Sequence, residues 1–282
     1  MWGLMRKLAI GAAVSGALAL TGLAAPTALA DSPDLTFGAV TVNNGKSIVV
    51  GTDAKVTVPV TYSFTRPSDL VIDYKNNFLG VILYRGSLAD IENGLESSAK
   101  APTCTTTATT ETTVTESCGT TLTIDPREQL VGAADATTWR AAAVYARAFV
   151  DADDSDDHIS FETGVDAWGK LGTAKLQRKA GLGTNATPEP VTKGRTLTVK
   201  GKLTRADWAK HTFTGYTGQK VTLQFKAKGA TAYTDVKTVI SGTGGALSTT
   251  VKATKDGSYR YKFAGTSTTA AKTSAADYVD VK

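Results

Sequence analysis

Cysteine, histidine and methionine each occur only twice in this chain of 282 residues. The two histidines, His158 and His211, stand far apart, and neither lies beside a nucleophile-elbow sequence. A Ser–His–Asp triad and a histidine-ligated metal centre therefore lack their parts. Carboxylates are plentiful, but no spacing sets two of them across a cleft as a glycosidase needs. The sequence carries no catalytic constellation, and the reading is non-enzymatic. Two cysteines are too few for a thiolate metal knuckle. In an oxidising compartment an even pair defaults to a disulfide, Cys104–Cys118, closing a loop that the chain-entropy estimate values at roughly 3 kcal/mol. After residue 30 there is no apolar run long enough to span a bilayer, so membrane insertion is not expected. No arginine cluster with interleaved aromatics is present, and nucleic acid is accordingly disfavoured as a partner.

What stands at the N-terminus is an export signal. Arg6 and Lys7 precede an apolar stretch from Leu8 to about Ala25, and Ala28-Leu29-Ala30 supplies a small-x-small cleavage site. Residues 1–30 read as a cleaved signal peptide, and the chain from Asp31 is expected to be secreted and soluble. No cysteine at the cleavage site offers a lipid anchor, and the last residues include no apolar tail.

Net charge is +5, and it conceals a polarity. Residues 31–170 hold 20 acids and 10 bases, a net of −10, whereas residues 193–282 hold 16 bases and 5 acids, a net of +11. Such an asymmetry suits attraction to a polyanion such as a cell-wall polymer. It also suits pairing of the acidic and basic halves, including self-association. The bland alternative is that lysines such as Lys200, Lys202, Lys226, Lys228, Lys252 and Lys255 fill solvent-facing strand positions and guard edges.

Periodicity points to an all-β chain of two Ig-like β-sandwich domains in tandem. Residues 55–64 alternate so that Val56, Val58, Val60, Tyr62 and Phe64 share one face, with Pro59 on the other and a free edge near it. Further strands are expected at 35–42, 70–74, 79–84 and on both sides of the disulfide, where the sequence is about half threonine. Residues 87–97 suit a short helix or an irregular crossover. Residues 139–150 fit strand or helix, and strand is preferred because Asp135 precedes Trp139 much as Ig domains place an Asp before an F-strand aromatic. The N-terminal acidic sandwich takes 31–180, a Pro-containing linker 181–193, and the C-terminal basic sandwich 194–282. In the latter, strands read at 196–203, 220–226, 236–240, 247–253, 259–263 and 278–281. Asp256-Gly257 there suggests a tight positive-φ hairpin turn. The pattern V-x-x-G-[KR]-[ST]-[IL]-x-V occurs at Val42 and again at Val191, a hint of duplication.

One acidic stretch is sharp. Asp151, Asp153, Asp154, Asp156 and Asp157 fall within seven residues, and Glu162 follows. Hard oxygens in this density suit Ca²⁺. On the EF-hand template Asp151, Asp153, Ser155 and Asp157 occupy positions 1, 3, 5 and 7, with Glu162 at 12. However, Asp156 stands where glycine is required and His158 where an apolar residue is usual. A looser calcium site between strands and a merely solvated acidic turn both remain open. Trp208, Tyr216, Tyr233 and Tyr259 could stack on sugars, but in a small sandwich core packing is the preferred role.

The stretch 186–194 (ATPEPVTKG), together with 203–208 (LTRADW), 215–219 (GYTGQ), 256–260 (DGSYR) and 263–266 (FAGT), resembles a group of secreted actinomycete proteins of the Streptomyces type. Those proteins have paired bacterial Ig-like domains, and some carry a calcium-binding label. The resemblance covers the second domain well and the first loosely. It implies an extracellular binding or structural module with a protein or wall polymer as partner, and it brings no catalytic residues.

Overall fold

The computed structural model describes residues 34–147 and 164–282. The chain forms β1 (Thr36–Phe37), β2 (Thr41–Val42), β3 (Ile48–Val50), β4 (Val56–Pro67), β5 (Asn77–Ser87) and β6 (Asp90–Glu96). Next come β7 (Thr103–Thr109), β8 (Thr113–Ile124), β9 (Thr138–Arg147) and β10 (Gly164–Arg178). The remainder is β11 (Ala180–Thr187), β12 (Thr196–Asp207), β13 (Thr212–Gly215), β14 (Lys220–Ala227) and β15 (Thr234–Ile240), then β16 (Ala246–Lys252), β17 (Gly257–Phe263), β18 (Lys272–Thr273) and β19 (Asp277–Val279). A four-residue α-helix, α1 (Pro126–Gln129), follows β8, and the Asp125 side chain caps it by accepting from the Arg127 N–H at 3.0 Å. The protein is all-β.

It divides into two compact units that are not consecutive in sequence: Ser47–Val56 and Ile124–Thr137 belong with Lys175–Lys282. The Trp208 indole explains part of this grouping, since its Nε1–H donates to the Gly51 carbonyl at 2.8 Å.

In the first unit one sheet has the order β1-β4-β8-β7, with β2 also on β4, and the other includes β10-β9-β5-β6. With β5 and β6 as C and C′ and β9 and β10 as F and G, this is the A-B-E-D and G-F-C-C′ order of an Ig sandwich. Val58, Val60, Tyr62 and Phe64 of β4 are buried as the alternation predicted. Pro59 lies just past the last β2 pair, Val42 opposite Val60, so its missing N–H costs no ladder bond there. Phe37 of one sheet meets Trp168 of the other with ring centroids 4.9 Å apart.

Two readings of this unit need revision. Residues 70–74 are not a strand: the Asp73 carboxylate accepts from Lys75 N–H at 2.9 Å and from the Asn76 amide at 2.8 Å, and this local turn outcompetes a ladder. Residues 87–97 are neither helix nor crossover but contain β6, which folds back on β5 around a register shift at Arg85/Gly86. Gly86 has φ +89 there, and a Cβ would strike the Asp90 carbonyl. The ambiguous segment is strand, β9, through Arg147, with Trp139, Ala141, Ala143 and Tyr145 buried.

In the second unit β12 is flanked by β11 on one side and by β13 and β16 on the other, and the facing sheet runs β15-β14-β17 with β18 and β19 on β17. Leu197, Val199 and Leu203 from one sheet, and Val221, Leu223, Tyr261 and Phe263 from the other, form one buried cluster. At the sandwich margin Val191 bridges Val281 in parallel. The expected linker 181–193 is therefore strand at its start, because β11 pairs with β12 over eight residues. At Gly181 a Cβ would lie 2.5 Å from the Thr204 hydroxyl, so glycine there answers close packing. Nor is Asp256-Gly257 a hairpin turn, since β16 and β17 lie in different sheets. Gly257 begins β17, and a Cβ there would meet the Phe225 ring and the Lys226 carbonyl. The proposed repeat is conformational only: Gly45 and Gly194 both have positive φ, but the first leads into the short β3 and the second into the long, doubly paired β12.

Candidate functional site

The disulfide is formed, with Cys104 directly opposite Cys118 across β7 and β8. It staples a ribbon whose β7 half is almost wholly exposed. The Tyr74 hydroxyl lies 3.9 Å from the Cys104 sulfur. The acidic residues Asp151, Asp153, Asp154, Asp156, Asp157 and Glu162 lie outside the described residues, as do residues 1–30 and His158. Among the described residues no group of three or more His, Cys, Asp or Glu side chains is placed to hold a metal ion. His211 sits at φ +48 with its Nδ1 buried and without a hydrogen-bond partner. No helix among the described residues is long and apolar enough to cross a membrane.

The aromatic residues divide cleanly. Trp208 is fully buried and Tyr259 nearly so, which makes both core, as preferred from sequence. Tyr216 is edge-on to Phe263 at 5.9 Å and lies under the Arg205 guanidinium, 4.1 Å from its centroid. Tyr233 differs: Arg260 stacks over its ring at 3.6 Å and the Lys226 ammonium stands 5.2 Å from it. Arg260 is held there by donating from Nε to the Gln224 side-chain Oε1 at 2.9 Å, while the Gln224 Nε2 amide donates to Asp235 at 2.7 Å. Two cations, one from β14 and one from β17, thus stand against this ring.

The feature that sequence reading missed lies at the margin of the second unit. Two depressions, of about 380 and 400 Å³, adjoin one another and share Thr254 and Lys255. The first has an apolar floor of Phe225, Val251 and Tyr259, with Lys237, Lys252 and Lys255 at its rim. Lys193, Lys228 and Lys282 line the second. Among the residues lining the pair the one carboxylate is Asp256, and it is engaged: it accepts from the Val281 N–H at 2.9 Å and from Lys228 at 3.4 Å. The Val281 hydrogen bond is the first cause that holds the Asp256 carboxyl below its ordinary range. In sequence these lysines are scattered one or two to a strand. They converge because strand ends and the segments between them meet at one lip of the sandwich, which no spacing rule reveals. The +11 of residues 193–282 was the only signal.

Strand order and core place the chain in the class of all-β, Ig-type sandwich proteins. It is similar to a solved structure of domains A168–A170 from titin, with 11% identity over 88% of this chain and 68% of that one, at a TM-score of 0.24. It is also similar to the full ectodomain (Ig1–Ig3) of mouse nectin-like molecule 4, with 12% identity over 88% of this chain and 66% of that one, at a TM-score of 0.21. At scores this low the fold assignment rests on the strand order itself. No family model matches the chain. No curated protein matches it either.

Proposed function

We propose that the chain acts outside the cell as a non-enzymatic binding module that holds an anionic partner on the lysine-lined lip of its second unit. The observation that carries this reading is the convergence of Lys193, Lys228, Lys237, Lys252, Lys255 and Lys282 on two joined depressions with one engaged carboxylate among them. Like charges gathered around a concave, partly apolar surface reinforce one another's field, and an incoming anion relieves their repulsion. The export signal and the Cys104–Cys118 bridge support action in an oxidising, extracellular setting.

The test uses the full exported chain on immobilised polyphosphate and on wall material, at rising sodium chloride. Retention should fall steeply with salt, and the triple change Lys237→Glu, Lys252→Glu, Lys255→Glu should abolish it. Equal retention of the charge-reversed protein on both matrices would remove the lip from consideration.

A further inference from the structure

We infer that the groove between β15 and β16 accepts an extended peptide of alternating acidic and apolar residues, which adds to β16 as a further strand; this names the anionic partner and rests on the binding reading above. Among the described residues β16 pairs only with β12, and β15 only with β14, so each is an edge strand and each aims alternate N–H and C=O groups away from its sheet. The two edges differ in quality. The β14–β15 ladder breaks register at Leu223/Gln224, which blunts β15. β16 keeps seven consecutive residues in register with β12, from Lys252 opposite Thr196 to Ala246 opposite Lys202, and contains no proline. It offers the regular template.

The groove beside it has the chemistry of a strand site. Its floor is Phe225, Val251 and Tyr259, the first and last with ring centroids 4.7 Å apart, and Val236 at its wall is 44% exposed. Its rim is Lys237, Lys252 and Lys255, and among the described residues none of these three is ion-paired. An added strand presents successive side chains to opposite faces. Apolar residues at alternate positions would cover the floor, and acidic residues between them would share the outer face with Lys252, the exposed end of the inward–outward alternation of β16. A second copy of this unit is a poor occupant, because residues 193–282 carry +11 and two such surfaces repel. A polyphosphate is a poor match for the edge itself, since it accepts hydrogen bonds but cannot donate to the outward carbonyls.

Three probes decide the matter by calorimetry on the full exported chain, with hydrogen exchange read at 246–252. They are a peptide of about ten alternating valine and glutamate residues, the same peptide N-methylated along one edge, and polyphosphate. The alternating peptide should bind and protect the β16 amides, and N-methylation at unchanged charge should weaken it by about tenfold or more. The Lys237→Glu, Lys252→Glu, Lys255→Glu protein should bind neither peptide. Equal binding of the plain and N-methylated peptides overturns strand addition, and so does binding of polyphosphate alone; in both cases the binding reading stands. Silence from all three probes removes both. Salt-sensitive dimerisation of the free protein with protection of 246–252 would assign the groove to a second copy and overturn the inference.

Discussion

The Tyr261 hydroxyl donates to the Val199 carbonyl at 2.9 Å, joining β17 in one sheet of the second unit to β12 in the other. Both residues are fully buried. Tyr261→Phe keeps the ring and deletes the donor, so it should cost about 1–3 kcal/mol in urea unfolding. Burial also pushes the Tyr261 phenol up to about 12, above its ordinary 10.0. The folded state therefore keeps a proton that the unfolded chain releases. Stability from this group is full below pH 10 and is lost as pH rises towards 12. Tyr62 and Tyr74 in the first unit are raised as well, both first by burial. Alkaline titration of phenolate absorbance should show one group fewer ionising with unfolding in the Tyr261→Phe protein, and an unchanged profile would contradict the assignment.

How much of this was legible in sequence depended on what set each strand. β4 and β17 are half-buried, and their alternation of Val58, Val60, Tyr62 and Phe64, or Tyr259, Tyr261 and Phe263, reads directly. β6 and β11 are lost to the same rule, because edge strands carry Asp90, Glu92 and Asn93, or Gly181 and Gly183, and are fixed by tertiary pairing. The Asp256-Gly257 pair shows the converse error. A dipeptide with a strong local preference is used instead to pass between sheets, because Gly257 must clear Phe225. The lysine lip was visible only as a net charge, for its members are brought together by topology.

Gly257 gives a sharp test of that packing. Its φ is not in the left-handed region, so alanine brings no backbone strain. Yet a Cβ would press on the Phe225 ring and the Lys226 carbonyl. Gly257→Ala should destabilise by about 1–3 kcal/mol through overpacking. Pairing it with Phe225→Leu should recover part of the loss, which a double-mutant cycle measures. Full additivity would show that the two sites do not touch.

The disulfide should act locally. Cys104 and Cys118 are separated by 14 positions and joined across neighbouring strands. Cys104→Ser with Cys118→Ser should lower stability by roughly 3 kcal/mol, the value for a loop of about 15 residues. Hydrogen exchange should rise along β7 and β8 and leave the second unit's core cluster protected. Loss of protection at Leu197 and Leu223 would mean that the bridge supports more than its own ribbon.

Arg178 is the least expected member of the second unit's interior. It is only 5% exposed, its Nε has no hydrogen-bond partner, and burial is the first cause that lowers its pKa. Its guanidinium lies 5.5 Å from the centroid of the Trp208 ring. A cation–π contact contributes about 0.5–2 kcal/mol, whereas withdrawing a cation from water costs several. Desolvation wins that comparison. Arg178→Met keeps the stem's volume and both backbone bonds, from Arg178 N–H to Thr268 and from Ala270 N–H to the Arg178 carbonyl. It should leave the melting temperature unchanged or raise it. A fall of several degrees would show that Arg178 has a stabilising role that its missing Nε partner conceals.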